Sequence, residues 1–289
     1  MRNLLIRTAS GIVYVSLMVA AVFTPWVSVP LTFFLGLVGI WELYKMYETP
    51  ELKECYPFVN ISAMTLLLAF LLASEMYAFL SNNASDIVGN IHFFSPGECV
   101  MLVLSILGIF LPELICRHEN PVLNIGMGLL SLIWILLPLS LLFFVWIPRQ
   151  PMLVLAFFIL IWMADTAAYV FGSLFGKHKL VPKISPGKTW EGFLCSCVFT
   201  AGLAVGLAYI PYFQQAGLRL WQWIVMALLV EVFGLMGDLI ESLFKRNAGV
   251  KDSGNIIPGH GGVLDRVDSI LFATIPVFLF CLMCCDQEL

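Results

Sequence analysis

Residues 219–244 read RLWQWIVMALLVEVFGLMGDLIESLF, a nearly unbroken apolar stretch with Glu231, Asp238 and Glu241 set into it. A helix needs about 20 apolar residues to cross the hydrocarbon core of a bilayer. Helices also satisfy their own backbone groups where lipid offers no partner. The stretch therefore predicts a transmembrane helix, and one that carries acids at a cost. The rest of the 289-residue chain is built alike: 60% of residues are hydrophobic, 12% are charged, and the mean hydropathy is +0.94. A soluble domain carries about 25% charged residues, so a soluble globular class is excluded.

Working outward, nine apolar spans can be drawn at about 8–27, 29–47, 60–80, 98–116, 122–147, 151–175, 191–211, 219–244 and 267–285. Pro25 and Pro30 separate the first two. The expected fold is an all-α integral membrane protein, a polytopic helical bundle of about nine transmembrane helices. The basic start, Met1 to Arg7, has the charge layout of a signal peptide but lacks a small-x-small cleavage site. It is expected to remain as a first helix that doubles as the targeting signal. Cytoplasmic loops of membrane proteins collect lysine and arginine. With a cytoplasmic N-terminus, thirteen of the 15 basic residues fall on one side, and only Arg149 and Arg219 on the other. The eight cysteines show no metal-like pairing with histidine, so neither a disulfide framework nor a zinc site is expected.

Residues 1–147 hold few unusual polar groups and read as an N-terminal membrane scaffold of about five spans. Residues 148–289 read as a catalytic membrane domain of about four spans, with polar cytoplasmic loops at 176–190 and 245–266. In the eighth span Asp238, Glu241, Ser242 and Lys245 are spaced i, i+3, i+4, i+7, which places them on one helix face. Glu231 shares the stripe, and Asp165 lies inside the sixth span. Some of these acids could simply pair with lysines; that reading is weakest for Asp238, deep in its apolar run.

The segment from Lys245 to Asp268 holds four basic residues, three aspartates and five glycines in 24 positions. Glycine lets backbone N–H groups approach an anion closely, and Lys and Arg give charge-assisted bonds to phosphate. Asp265 and Asp268 are three apart, so a helix starting there turns both toward one metal. Such hard oxygen ligands suit Mg²⁺, which binds through one or two carboxylates together with substrate phosphates. Glycines, cations and carboxylates together describe a metal–polyphosphate site. The positive-inside rule alone would account for the cations, but not for the aspartates or the Gly-rich run.

The other loop ends in Ser185-Pro186-Gly187-Lys188-Thr189. Gly187-Lys188-Thr189 imitates the end of a P-loop, but a P-loop needs glycine where this chain has Pro182 and must follow a strand. The loop is expected to be a turn entering the seventh span, whose N-terminal N–H groups beside Lys188 form a phosphate site.

These residues resemble the signature of the phosphatidate cytidylyltransferase (CDP-diacylglycerol synthase) family, bacterial type. Ser242, Lys245, Arg246, Lys251, Asp252, Gly254, Ile257, Pro258, His260, Gly261, Gly262, Asp265, Arg266 and Asp268 all match within 27 positions. The segment around Asp165, Tyr169 and Gly172 and the stretch Ser185–Gly192 are similar to that family as well. The resemblance is close over 150–289 and only one of hydrophobic layout over 1–147.

It implies attack of phosphatidate on the α-phosphorus of CTP, with release of pyrophosphate, in a metal-dependent enzyme of the bacterial inner membrane. Its site faces the cytoplasm, and no nucleic-acid partner is expected. On this reading Asp238 and Asp265 are the first metal ligands, supported by Asp268. Lys188, Lys245, Arg246 and Lys251 hold phosphate oxygens, with Ser185, Thr189, Ser242, Asp252, Gly261, Gly262 and Arg266 completing the substrate site. Lys251 and His260 join Asp238 and Asp265 as catalytic residues, His260 stabilising pyrophosphate or ordering the loop. Mg²⁺ is the expected cofactor, with room for a second, monovalent cation. The Gly202-x-x-x-Gly206 pair permits close helix packing, within one chain or in a homodimer. Two other readings compete. A polyprenol kinase or another CTP-dependent lipid enzyme is opposed by the complete signature. A cation or phosphate transporter would call for internal repeats, and none is evident.

Overall fold

The computed structural model describes residues 2–47, 96–116, 120–147, 150–259 and 261–285. Within these, α1 is Arg2–Phe23, α2 Pro25–Met46, α3 Pro96–Cys116 and α4 Pro121–Ser131. Two π-helical turns, Leu132–Leu136 and Leu141–Trp146, flank the short α5, Leu137–Ser140. Then follow α6 (Pro151–Phe175), strands β1 (Lys179–Val181) and β2 (Ser185–Thr189), α7 (Trp190–Ala208), the short α8 (Pro211–Gln214), α9 (Leu220–Asn247) and α10 (Leu264–Cys285). Six helical stretches among the described residues are long and apolar enough to cross a membrane: Trp26–Met46, Pro121–Phe143, Pro151–Phe175, Trp190–Ala208, Leu220–Asn247 and Leu264–Cys284. The protein is thus an all-α polytopic membrane protein. The expected span 60–80 lies outside the described residues.

Local sequence sets the helix ends. Pro25, Pro121 and Pro151 occupy the first turns of α2, α4 and α6, where a missing N–H costs nothing and a fixed φ suits the helix. Pro138 cannot donate within its helix, and just before it the Leu137 N–H bonds back five residues to the Leu132 carbonyl. That is the geometry of a π-turn, a known accommodation of a break in the ladder.

The chain divides into two compact units, Gly11–Val145 and Trp146–Leu289 together with Met1–Ser10. In the first, the Asn124 side-chain amide donates to the buried Glu113 carboxylate, joining α3 to α4. In the second, α6 packs on α7, α7 on α9, and α9 on α10. Its apolar core includes Trp146, Phe157, Phe158 and Trp223, all 0–1% exposed. The Trp146 ring lies 5.2 Å from Phe157 and 5.8 Å from Phe278.

Two features of this unit position the site. The segment expected to be a simple turn is a β-hairpin, β1 pairing antiparallel with β2 so that Lys179 faces Thr189 and Val181 faces Ser185. Alternation along β2 sends Lys188 and Thr189 to opposite faces. The second feature is the approach of α9 to α10 at Gly237. A Cβ there would fall 2.5 Å from the Asp268 carbonyl oxygen and 2.9 Å from Phe272 Cβ. Only glycine lets the two backbones come this close, and the approach brings Asp238 beside Asp268.

Candidate active site

Along one face of α9 the stripe read from the sequence points at α10 and at the hairpin. Asp238, Glu241 and Asp268 each offer a carboxylate oxygen within 4.8 Å of the others. Lys188, carried by β2, is ion-paired with Asp238 Oδ2, and the Ser242 hydroxyl donates to Asp238 Oδ1 at 3.3 Å. Lys188 stands outside the spanning helices. Burial alone would lower its pKa, but the carboxylates of Asp238 and Asp165 outweigh burial and hold it above the ordinary lysine value. The two carboxylates thus favour the charged ammonium form.

Beside this group lies a second ionic cluster. Lys245 Nζ donates to Glu241 Oε2 at 2.5 Å and to Asp265 Oδ1 at 2.6 Å. The other oxygen of Asp265 accepts the Ser253 N–H at 3.0 Å and the Gly262 N–H at 2.8 Å. Asp265 therefore ties the start of α10 to the preceding loop and, through Lys245, to α9. The tie needs Gly261 at φ 86°, a left-handed conformation that glycine adopts without cost. A Cβ at Gly261 would also meet Asp265 Oδ2 at 2.7 Å.

The expected residues thus part company. Asp238 and Asp268 come together with Lys188. Asp265, read from the sequence as a metal ligand, has donors on both oxygens. Lys245, read as a phosphate ligand, is clamped between two carboxylates, its side chain 11% exposed. Thr189 caps α7 by accepting the Gly192 N–H at 3.2 Å, and Gly262 gives its N–H to Asp265. Arg246 reaches from α9 to the Ile184 carbonyl and, at 3.3 Å, to that of Val250, pinning both polar loops. His260 lies outside the described residues.

Two cavities adjoin the cluster. One, of about 440 Å³, runs between α6, α7, α9 and α10 and is lined by Asp165, Lys188, Asp238, Asp268, Ser185 and Arg266 on its polar side. Ile161, Ala164, Phe193, Val230 and Leu235 form its apolar wall. The other, of about 590 Å³, is lined by Lys251, Asp252, Asn255, Ile257, Gly259, Gly261 and Arg266. Arg266 borders both. Glu231, on the wall of the first, accepts hydroxyl hydrogen bonds from Ser196 and Thr200 of α7, a satisfied polar contact between helices.

The donor set fits a divalent cation. The three grouped ligands are hard carboxylate oxygens of the kind Mg²⁺ takes. Glu241 is fully buried, yet its Oε1 has no hydrogen-bond partner among the described residues. A buried unpaired carboxylate oxygen is expensive and a cation would relieve it. Sequence reasoning placed Glu241 on the right face without assigning it to the metal. Its i+3 spacing from Asp238 was the available signal. Asn255, which lines the second cavity, was not singled out, because an exposed loop asparagine carries no pattern.

The chain matches the family model described as "Cytidylyltransferase family" over residues 5–284. It belongs to that family. Among its relatives, the phosphatidate cytidylyltransferase of Staphylococcus haemolyticus is 49% identical over 115 residues, covering 40% of this chain and 43% of the relative. That of Staphylococcus aureus is 50% identical over 115 residues, with the same coverage. That of Staphylococcus epidermidis is 47% identical over 119 residues, again 40% and 43%. The aligned part thus spans less than half the length of these relatives.

Proposed function

We propose that this protein transfers the cytidylyl group of CTP to phosphatidate, giving CDP-diacylglycerol and pyrophosphate. The observation that carries this reading is the 440 Å³ cavity, in which carboxylates and Lys188 face an apolar wall between helices. Acyl chains can stay against apolar helix faces while a phosphate reaches the ionic cluster. The bacterial relatives named above support the reaction and a bacterial membrane; an inner-membrane location is part of the same proposal.

In the reaction an oxygen of the phosphatidate phosphate forms a new bond to the α-phosphorus of CTP. The bond from that phosphorus to the β-phosphate bridging oxygen breaks, and pyrophosphate leaves with the electron pair. A phosphate monoester is already nucleophilic at neutral pH, so no strong base is needed. Phosphoryl chemistry of this kind asks chiefly for positioning and charge neutralisation. Asp238 and Asp268, with Glu241, would hold Mg²⁺, which when bound supplies neutralisation of the triphosphate. Lys188 in the first cavity and Arg266, which borders both, orient phosphate oxygens. Lys251 and Asp252, with Gly261, present the more polar cavity to the nucleotide. Lys245 and Asp265 hold the geometry from behind.

In detergent, pyrophosphate release is expected only when CTP or dCTP, a divalent metal and phosphatidate are all present. Equal rates with ATP would refute the cytidylyl assignment, and release of a nucleoside diphosphate would indicate a kinase.

The finer topology belongs to the same proposal: nine spans, a cytoplasmic N-terminus, a scaffold over 1–147 and a catalytic domain over 148–289 with its loops in the cytoplasm. A homodimer through Gly202 and Gly206 is compatible with it. The charge asymmetry of the loops is its support. In cysteine-free protein on spheroplasts, Arg219→Cys should react with an impermeant thiol reagent while Lys251→Cys should not. The reverse pattern would invert the orientation.

A further inference from the structure

Two lysines neutralise the carboxylates of the site, and they are held differently. Lys245 stands between Glu241 and Asp265 with its side chain 11% exposed. It is a fixed strut on α9. Lys188 projects from a two-stranded hairpin and, among the described residues, is ion-paired with a single carboxylate, Asp238, the two side chains being 23% and 26% exposed. Its ammonium lies at the open cavity, on a carboxylate that groups with Glu241 and Asp268 as a divalent-cation ligand. The Ser242 hydroxyl already takes the other Asp238 oxygen.

From this geometry we propose that Lys188 is a placeholder cation: without ligand its ammonium holds Asp238, and a metal–nucleotide complex displaces it onto the polyphosphate. The inference rests on the metal-dependent nucleotidyl-transfer reading above. A lysine suits the task because its charge sits at the end of a flexible four-carbon stem with rotatable donors. The exchange keeps the site neutralised at each stage. Leaving Asp238 bare in a half-buried cavity would be costly, and so would leaving Lys188 without an anion once a cation has taken its place. Metal and Lys188 therefore compete for Asp238, while the anion captures Lys188. By linkage each ligand favours the other, so the metal–nucleotide complex is preferred over bare metal.

The test is direct Mn²⁺ binding to the full chain in detergent, without nucleotide or lipid, read from the loss of the free-ion paramagnetic resonance signal. Lys188→Met is expected to bind Mn²⁺ about tenfold tighter than the wild type, the scale of a modest coupling. Lys188→Arg, which keeps the charge, should bind as the wild type does. In the same Lys188→Met protein, pyrophosphate release should fall by about 10²-fold. Tighter metal with slower turnover is a pair of signs that a merely structural lysine would not produce. Unchanged or weaker Mn²⁺ binding by Lys188→Met, in protein whose thermal unfolding matches the wild type, overturns the placeholder role. Lys188→Gln serves the same comparison if the methionine variant does not fold. Asp238→Asn separates the two levels. If it binds Mn²⁺ as the wild type does, the metal site itself is misplaced. If it loses Mn²⁺ while Lys188→Met gains nothing, only the placeholder fails.

Discussion

Asp238→Asn is expected to lower pyrophosphate release by roughly 10²–10³-fold, the usual cost of removing a group that stabilises transition-state charge, while the protein still folds. Asp238 is the point where the elements of the site converge. It is carried by α9, hydrogen-bonded by Ser242 one turn along the same helix, ion-paired with Lys188 of the hairpin, and grouped with Asp268 of α10. Asparagine keeps the volume and an acceptor for Ser242 but removes the charge that a metal or Lys188 requires. The acid already sits in an apolar helix at a cost, and the Lys188 it strands lies at the open cavity and is more exposed than Lys245, so the bundle should keep its fold. Turnover measured over a range of Mg²⁺, alongside thermal unfolding, decides the matter. Near-wild-type turnover at ordinary Mg²⁺ would remove Asp238 from the metal site. Asp268→Asn should act in the same direction.

Asp265→Ala is expected to lose both activity and stability, the latter by roughly 3–5 kcal/mol, as when one partner of a buried ion pair is deleted. The change strands Lys245 against Glu241 alone and removes the acceptor of the Ser253 and Gly262 N–H groups. With the Asp265 side chain only 7% exposed, water is a poor substitute. Asp265→Asn separates the structural role from metal ligation. Asparagine retains an oxygen for the two amides but not the charge facing Lys245, so it should unfold at a lower temperature than the wild type. If Asp265→Asn melts as the wild type does, is inactive, and regains turnover at high Mg²⁺, Asp265 is a ligand and the strut assignment fails.

Part of the candidate site's arrangement was legible from spacing. Asp238, Glu241, Ser242 and Lys245 share a face because a helix repeats every 3.6 residues, and α9 runs unbroken through them. Lys245, expected from the sequence as a phosphate ligand, lies between Glu241 and Asp265. A lysine at i+4 from a glutamate and 20 residues before an aspartate looks the same in sequence whether it binds phosphate or clamps the two acids. Which one holds depends on where α10 begins relative to α9. The hairpin was hidden for a related reason. Lys179–Val181 and Ser185–Thr189 are too short for a period-two pattern, and Pro186 and Gly187 argue locally for a turn. Pairing across three intervening residues makes them strands.

What the sequence determined by itself was the solvent and the helical character of the apolar spans. Apolar runs about as long as a bilayer is thick admit few structures other than helices, and the pooling of Lys and Gly in two loops marks where an anion would be met. Tertiary structure decided the division of labour among the charges. Gly237 lets α10 approach α9 until Asp268 stands beside Asp238. The hairpin swings Lys188 across to the same carboxylate, and the Gly261 turn folds Ser253 and Gly262 onto Asp265. Each of these is a contact between groups distant in the chain or held by a backbone angle. A one-dimensional pattern carries residue types and periods. It does not carry the distance between two helices, and that distance determines which lysine lies between two buried carboxylates and which lies at the open cavity.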